Sequence, residues 1–157
     1  KRPTYKNIFI LVGPSASGKS SLVDKLMQKD CNISKTISYT TRPPRYRSEP
    51  YNFISVEEFN QLKKTNFFVE TTEYKGAFYG TAYSDLEQFR YIGKKLIAIM
   101  DINGALNVKR HYPDNTSLLY IERPKEDCIR SILQRTISID EIVSRISSID
   151  EEQKNKK

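Results

Sequence analysis

The chain is 157 residues long and carries 26 Lys and Arg against 19 Asp and Glu, a formal net charge of +7. That length suits one domain with a real core and excludes two ordinary ones. No apolar run approaches a membrane span and no signal-peptide pattern stands out, so a cytoplasmic protein with no membrane partner is expected. The basic residues are scattered, and the one dense run, Lys154-Asn155-Lys156-Lys157, reads as a solvated tail. No nucleic-acid partner is therefore expected; a polyphosphate substrate needs positive charge just as much. Cys31 and Cys128 lack metal or redox spacing and read as inert thiols of a reducing compartment. The single histidine, His111, reads as a surface residue near a helix end. The chain starts at Lys1 without a methionine, so a trimmed or omitted natural N-terminus is expected.

In chain order, Ile8 to Val12 is a short apolar, β-branched run, the pattern of a strand buried on both faces. It enters Gly13-Pro14-Ser15-Ala16-Ser17-Gly18-Lys19-Ser20, a full G-x-x-x-x-G-K-[ST] match, followed by Ser21 and the helical face Leu22, Val23 and Leu26. Gly13 and Gly18 let the backbone curl so that successive N–H groups of Ser15, Ala16, Ser17 and their neighbours aim at phosphate oxygens. The following helix adds the positive end of its dipole. Lys19 is placed to neutralise the β- and γ-phosphates, and the Ser20 hydroxyl suits Mg²⁺.

Thr36 to Tyr39 reads as a second strand, leading into Ser38-Tyr39-Thr40-Thr41-Arg42-Pro43-Pro44-Arg45. The prolines leave Arg42 and Arg45 on a stiffened loop, which fits either a phosphate clamp or a solvated basic turn. Tyr51 to Ser55 alternates as a strand, and Ser55-Val56-Glu57-Glu58 is a capping box opening a helix to about Lys64. Phe67 to Thr72 and Ala77 to Tyr79 read as a hairpin turning at Lys75-Gly76, with Glu70 in its first strand and Tyr79-Gly80-Thr81 closing the second. Ser84 to Glu87 reads as the cap of a helix ending near Gly93. Lys95 to Met100 is a continuous apolar strand delivering Asp101 to the edge where parallel sheets bind ligands. Leu118 to Ile121 is a further strand, and Pro124 opens a helix to about Arg135. Ser138 to Glu141 caps a last helix with Ile142, Val143, Ile146 and Ile149 on its apolar side. Helices alternating with strands point to βαβ units around a parallel sheet.

The ordered motifs GPSASGKSS, SYTTRPPR, YNFISVEEF, FFVE, KGAFYGT and MDINGAL, with the arginine-bearing segment from Arg130 to Arg145, resemble guanylate kinases from about Asn7 to Asp150. The resemblance implies the α/β fold of P-loop nucleoside-monophosphate kinases: a parallel-sheet core with helices on both faces, an inserted mixed subdomain and a helical lid. It divides the single domain into a core of about 1–37 and 94–124, a GMP-binding insert of about 38–93 and a lid of about 125–150. It implies transfer of the ATP γ-phosphoryl group to GMP, with Mg²⁺ as cofactor, dGMP left open, and a monomer or homodimer. By the same resemblance Ser38, Glu70, Thr81 and Asp101 would surround guanine, and Arg42, Arg45, Tyr51 and Tyr79 would hold its phosphate. Lys19 and Ser20 would handle ATP and Mg²⁺, with Asp101 reaching the metal through water, and Arg135 and Arg145 would close over the transferring group.

Elementary chemistry agrees for Glu70. Guanine offers N1–H and its exocyclic amine side by side, which one carboxylate accepts together, whereas adenine leaves that carboxylate unpaired. For Tyr51 and Tyr79, plain packing remains the alternative.

The sequence also departs from the family pattern. The loop from Arg45 to Tyr51 is short, Ile99 replaces an aspartate, Ser131 replaces a lid arginine beside Arg130, Thr136 follows Arg135 where glycine is usual, and the chain stops before a final strand and helix. Residues missing from the sequence are one expectation from this. The alternatives to a kinase of GMP are a catalytically weakened interaction module and a kinase of another small phosphate ester.

Overall fold

A computed structural model describes residues 6–92, 94–135 and 138–154. Its first sheet is built from β1 (Ile8–Val12), β2 (Ile33–Lys35), β7 (Lys95–Ile99) and β8 (Thr116–Tyr120), all parallel in the order β2-β7-β1-β8. Strand β1 is apolar throughout because both of its faces are covered. Ile8, Ile10 and Val12 pack with Leu96, Ala98 and the helix α4 (Ile102–His111) through Ala105 and Val108. Leu11 faces the other way, onto Val23 and Leu26 of α1 (Lys19–Lys29). Each such fully buried aliphatic side chain contributes about 1.5–3 kcal/mol.

The second sheet, in the order β4-β3-β6-β5, is mixed. It joins β3 (Tyr39–Thr40), β4 (Asn52–Phe53), β5 (Phe68–Tyr74) and β6 (Ala77–Ala82), with β3 and β4 parallel and the other pairs antiparallel. The hairpin turns at Lys75 (φ 52°) and Gly76 (φ 74°), the paired positive angles that match strand twist in a two-residue turn. Helix α2 (Val56–Lys64) opens on the expected capping box: Ser55 Oγ accepts from the Glu58 amide at 3.1 Å, and the Glu58 carboxylate accepts from the Ser55 amide at 2.9 Å. Its Phe59 stacks between Phe68 and Phe78 and pins the helix to this sheet.

Helix α3 (Tyr83–Ile92) leads back to the first sheet, and α5 (Lys125–Leu133) and α6 (Ile139–Lys154) follow β8. The last two helices enclose a separate small core of Cys128, Ile132 and Ile149, against which Ala16 of the glycine loop also packs. Among the described residues no helix is long and apolar enough to cross a membrane.

Several sequence expectations are corrected. Thr36 to Tyr39 is not one strand: the Thr36 amide still donates to Ile97 in the first sheet, while Ser38 already accepts from Asn52 in the second. The chain changes sheets between them, at exposed Ile37. Strand β4 is only two residues long, and β6 runs on through Thr81 to Ala82. Helix α3 begins at Tyr83, so Ser84 lies inside it and does not cap it. Val143 is exposed, unlike Ile142, Ile146 and Ile149, which face the small core. Lys154 is exposed and is the last residue of α6. Lys1, Gly93, Thr136 and 155–157 lie outside the described residues.

Candidate active site

The loop after β1 owes its shape to its two glycines. A Cβ on Gly13 would lie 2.4 Å from the Ile121 carbonyl oxygen, so no side chain fits there. Gly18 caps α1 at φ 95°, a left-handed conformation that costs a glycine nothing. Lys19 folds back over the loop, donating to the carbonyls of Gly13 (2.6 Å) and Pro14 (2.7 Å) and to Ser17 Oγ (3.3 Å). Burial pulls its ammonium below the ordinary lysine pKa, and the Glu152 carboxylate opposes that pull. The Ser15 amide donates to Glu152 Oε2 at 2.5 Å, and Arg145 reaches Ser15 Oγ at 3.4 Å. Ser20 and Ser21 lie exposed in the first turn of α1.

This loop opens onto a cavity of about 320 Å³ lined by Gly13, Ser15, Lys19, Arg145 and Glu152. A second cavity of about 250 Å³ is lined by Ser38, Glu70, Thr72 and Tyr79. Tyr51, Tyr74, Ile99, Met100 and Asp101 line both, so the two cavities adjoin across these residues. The shared wall includes the segment leaving β7 at the carboxyl edge of the sheet, and the loop leaving the neighbouring strand β1 lines the first cavity.

Glu70 owes its position to a register shift between Phe68 and Glu70 in β5. The irregularity lets Val69 enter the main core while Glu70 lands opposite Thr81, whose hydroxyl donates to Glu70 Oε1 at 2.8 Å. The other oxygen, Oε2, is buried and has no hydrogen-bond partner among the described residues; Gly104 of α4 lies against it. Burial, with the Asp101 carboxylate adding to it, pushes the Glu70 carboxyl up to about 7. Asp101 caps α4 by accepting from the Gly104 amide at 2.7 Å and accepts from the Thr72 hydroxyl at 2.8 Å.

Arg42 forms a two-pronged pair with Glu49 (2.6 and 3.3 Å), behind the ring of Tyr51. The Arg45 amide donates to the same carboxylate at 2.9 Å, and the Arg45 guanidinium reaches Glu141 at 3.2 Å. Bonding to Arg42 holds the Glu49 carboxyl below its usual range. Glu141 also pairs with Arg145 at 2.7 Å. Arg135, just past α5, is close enough to Lys19 and Arg145 for each to feel its charge. Arg130, by contrast, pairs with Asp127 at the surface, and Ile99 packs among the apolar residues beside Leu11.

Every site residue read from the sequence thus has a described place. Gly13, Ser15, Lys19, Arg145 and Asp101 meet at the first cavity, and Ser38, Glu70, Tyr51 and Tyr79 meet at the second, while Ala16 packs into the small core and Ser20 lines a separate cavity with Ser38 and Tyr51. Thr81 stands behind Glu70, while Arg42 and Arg45 stand behind Tyr51 and around Glu49. Sequence reasoning missed Glu49, Thr72, Tyr74 and Glu152. Only Glu152 left a pattern: Glu141, Arg145, Ser148 and Glu152 recur at helical spacing along one stripe of α6.

The family model for guanylate kinase matches residues 5–156. The chain belongs to the guanylate kinase family. It is 39% identical over 132 residues to a guanylate kinase of Polaromonas sp., covering 82% of this chain and 64% of that protein. A guanylate kinase of Wolinella succinogenes is 37% identical over 129 residues, covering 80% of this chain and 60% of that protein. The chain therefore spans less than two thirds of the length of either relative. The crystal structure of a guanylate kinase from Anaplasma phagocytophilum superposes with a TM-score of 0.72 at 22% identity, over 96% of this chain and 72% of that one. That superposition shows the P-loop α/β kinase fold expected of the guanylate kinase family, with its parallel core and second mixed sheet.

Proposed function

We propose that the chain transfers the γ-phosphoryl group of ATP to GMP, giving ADP and GDP. The observation that carries the reading is that two cavities adjoin through shared lining residues, one lined by the glycine loop and Lys19, the other by buried Glu70. The loop amides and Lys19 bind the donor's phosphates. Glu70, held from behind by the Thr81 hydroxyl, accepts from the guanine N1–H and amine, Ser38 contacts the same base beside Asp101, and Tyr51, Tyr79, Arg42 and Arg45 hold the GMP phosphate. With both nucleotides seated, an oxygen of the GMP phosphate faces the γ-phosphorus in line. Arg135 and Arg145 then stabilise charge spread over the moving group. No covalent intermediate is needed.

The residues present also fit a magnesium ion. Magnesium keeps several waters and takes most of its ligands from substrate phosphates, and the exposed Ser20 hydroxyl beside Lys19 supplies one hard oxygen. Asp101 would reach it through water. When bound, the ion neutralises charge on the β- and γ-oxygens. The free thiols Cys31 and Cys128 suit a reducing cytoplasm.

A coupled assay with ATP, Mg²⁺ and a panel of GMP, AMP, UMP and CMP tests the reading. GDP formation from GMP alone is expected, and Lys19→Ala should lower turnover by about 10²–10³-fold with little change in GMP affinity. No GDP from the wild-type protein would falsify the proposal. ATP binding without turnover would point to an interaction module instead, and turnover that survives Glu70→Ala would point to a different phosphate ester.

A further inference from the structure

We infer that Glu152 is a tethered competitor for the glycine loop, and that it weakens every anion filling that loop by the same factor. The inference rests on the proposal that the loop holds a polyphosphate. The Glu152 carboxylate occupies the place of a bound anion: it accepts from the Ser15 amide at 2.5 Å and lines the same cavity as Gly13 and Lys19. No loose tail delivers it. Ile149, one turn earlier on α6, is fully buried with Cys128 and Ile132, against Ala16 of the loop itself. The Tyr120 hydroxyl donates to the Glu152 carbonyl at 3.5 Å, and Lys125 pairs with Asp150 at 2.7 Å. A packed helix thus presents a negative charge at an effective concentration of millimolar or above.

An arriving anion must displace that carboxylate, so its apparent dissociation constant rises by the inverse of the fraction of time the loop is free. A carboxylate seated nine times in ten weakens every loop ligand about tenfold. Inorganic phosphate, drawing on few donors, drops out. A triphosphate that also meets Lys19, Arg135 and Arg145 stays bound. The exchange is local, because Arg145 lies on the same stripe of α6 and already touches Ser15 Oγ. As the glutamate leaves the loop, the arginine beside it remains to meet the phosphate.

Titration calorimetry at low salt tests this with MgATP, inorganic tripolyphosphate and adenosine on the wild-type protein and Glu152→Gln. Tripolyphosphate and MgATP should tighten by a similar factor, about tenfold, in the variant, while adenosine is unchanged. A residue serving only to shape the loop would not tighten binding when its charge is removed. Unchanged or weaker tripolyphosphate affinity overturns the inference, as does a lack of tripolyphosphate binding in both proteins. If the melting temperature of Glu152→Gln falls, Glu152→Asp, one methylene shorter, takes its place with a smaller gain expected and the same overturning result. Tighter binding in Glu152→Gln together with no GDP formation by the wild-type protein would sink the proposed transfer while leaving this inference in place.

Discussion

Replacing Glu70 by glutamine isolates the free energy stored in one buried carboxyl. Its folded pKa of about 7 stands above the 4.5 of an ordinary glutamate, because burial disfavours the charge. The folded state therefore binds more protons than the unfolded state between those two values. The stability Glu70 contributes is fully present below pH 4.5 and is lost as pH rises through 7. Integrating the difference gives about 2.5 kcal/mol lost between pH 5 and pH 8. Glu70→Gln keeps the shape but removes the titration, and all other ionisable groups cancel in the comparison. The variant should thus gain about 2.5 kcal/mol relative to wild type across that range, a shift of about 1 M in urea midpoint. Urea unfolding of both proteins at pH 5, 6, 7 and 8, without nucleotide, measures it. If the two midpoints move in parallel with pH, Glu70 titrates normally and the account of its burial is wrong.

Glu49→Gln removes the countercharge beside Arg42 and leaves a half-buried guanidinium partly unpaired. Stability should drop by about 1–3 kcal/mol, and GMP should raise the melting temperature more in the variant than in wild type. Equal ligand-induced shifts would show that Glu49 does not stand where the phosphate goes. Gly13→Ala places a methyl 2.4 Å from the Ile121 carbonyl. It should cost more than about 2 kcal/mol by thermal unfolding and abolish tripolyphosphate binding; a variant as stable as wild type would mean that the loop and the end of β8 are not packed as described.

The glycine loop was legible from sequence because strand, turn and helix are contiguous and the glycines answer to local backbone geometry. The capping box at Ser55 was legible for the same reason. The exchange of sheets at Ile37 was not, since an extended segment has the same period whichever neighbour it pairs with. The slip in β5 that seats Glu70 against Thr81 is set by partners eleven residues away. Glu49 and Glu152 escaped notice because acidic residues in a loop or on a helix ordinarily face water, and only the fold shows arginines and loop amides converging on them. Val143 went wrong because its neighbours Ile142 and Ile146 set the buried stripe one step away, and a step of one residue turns a side chain by about 100°.

Helix α4 packs directly on β5 as well as on β1 and β8, and Gly104 brings its backbone against the Glu70 carboxylate. The end of the second sheet that carries Glu70 is therefore anchored to the first. The proline-rich arginine loop reaches across to α6 through the pair between Arg45 and Glu141. In the proposed transfer, substitutions under α4 should consequently alter which base is accepted, and substitutions around Arg45 should alter how the GMP phosphate is held.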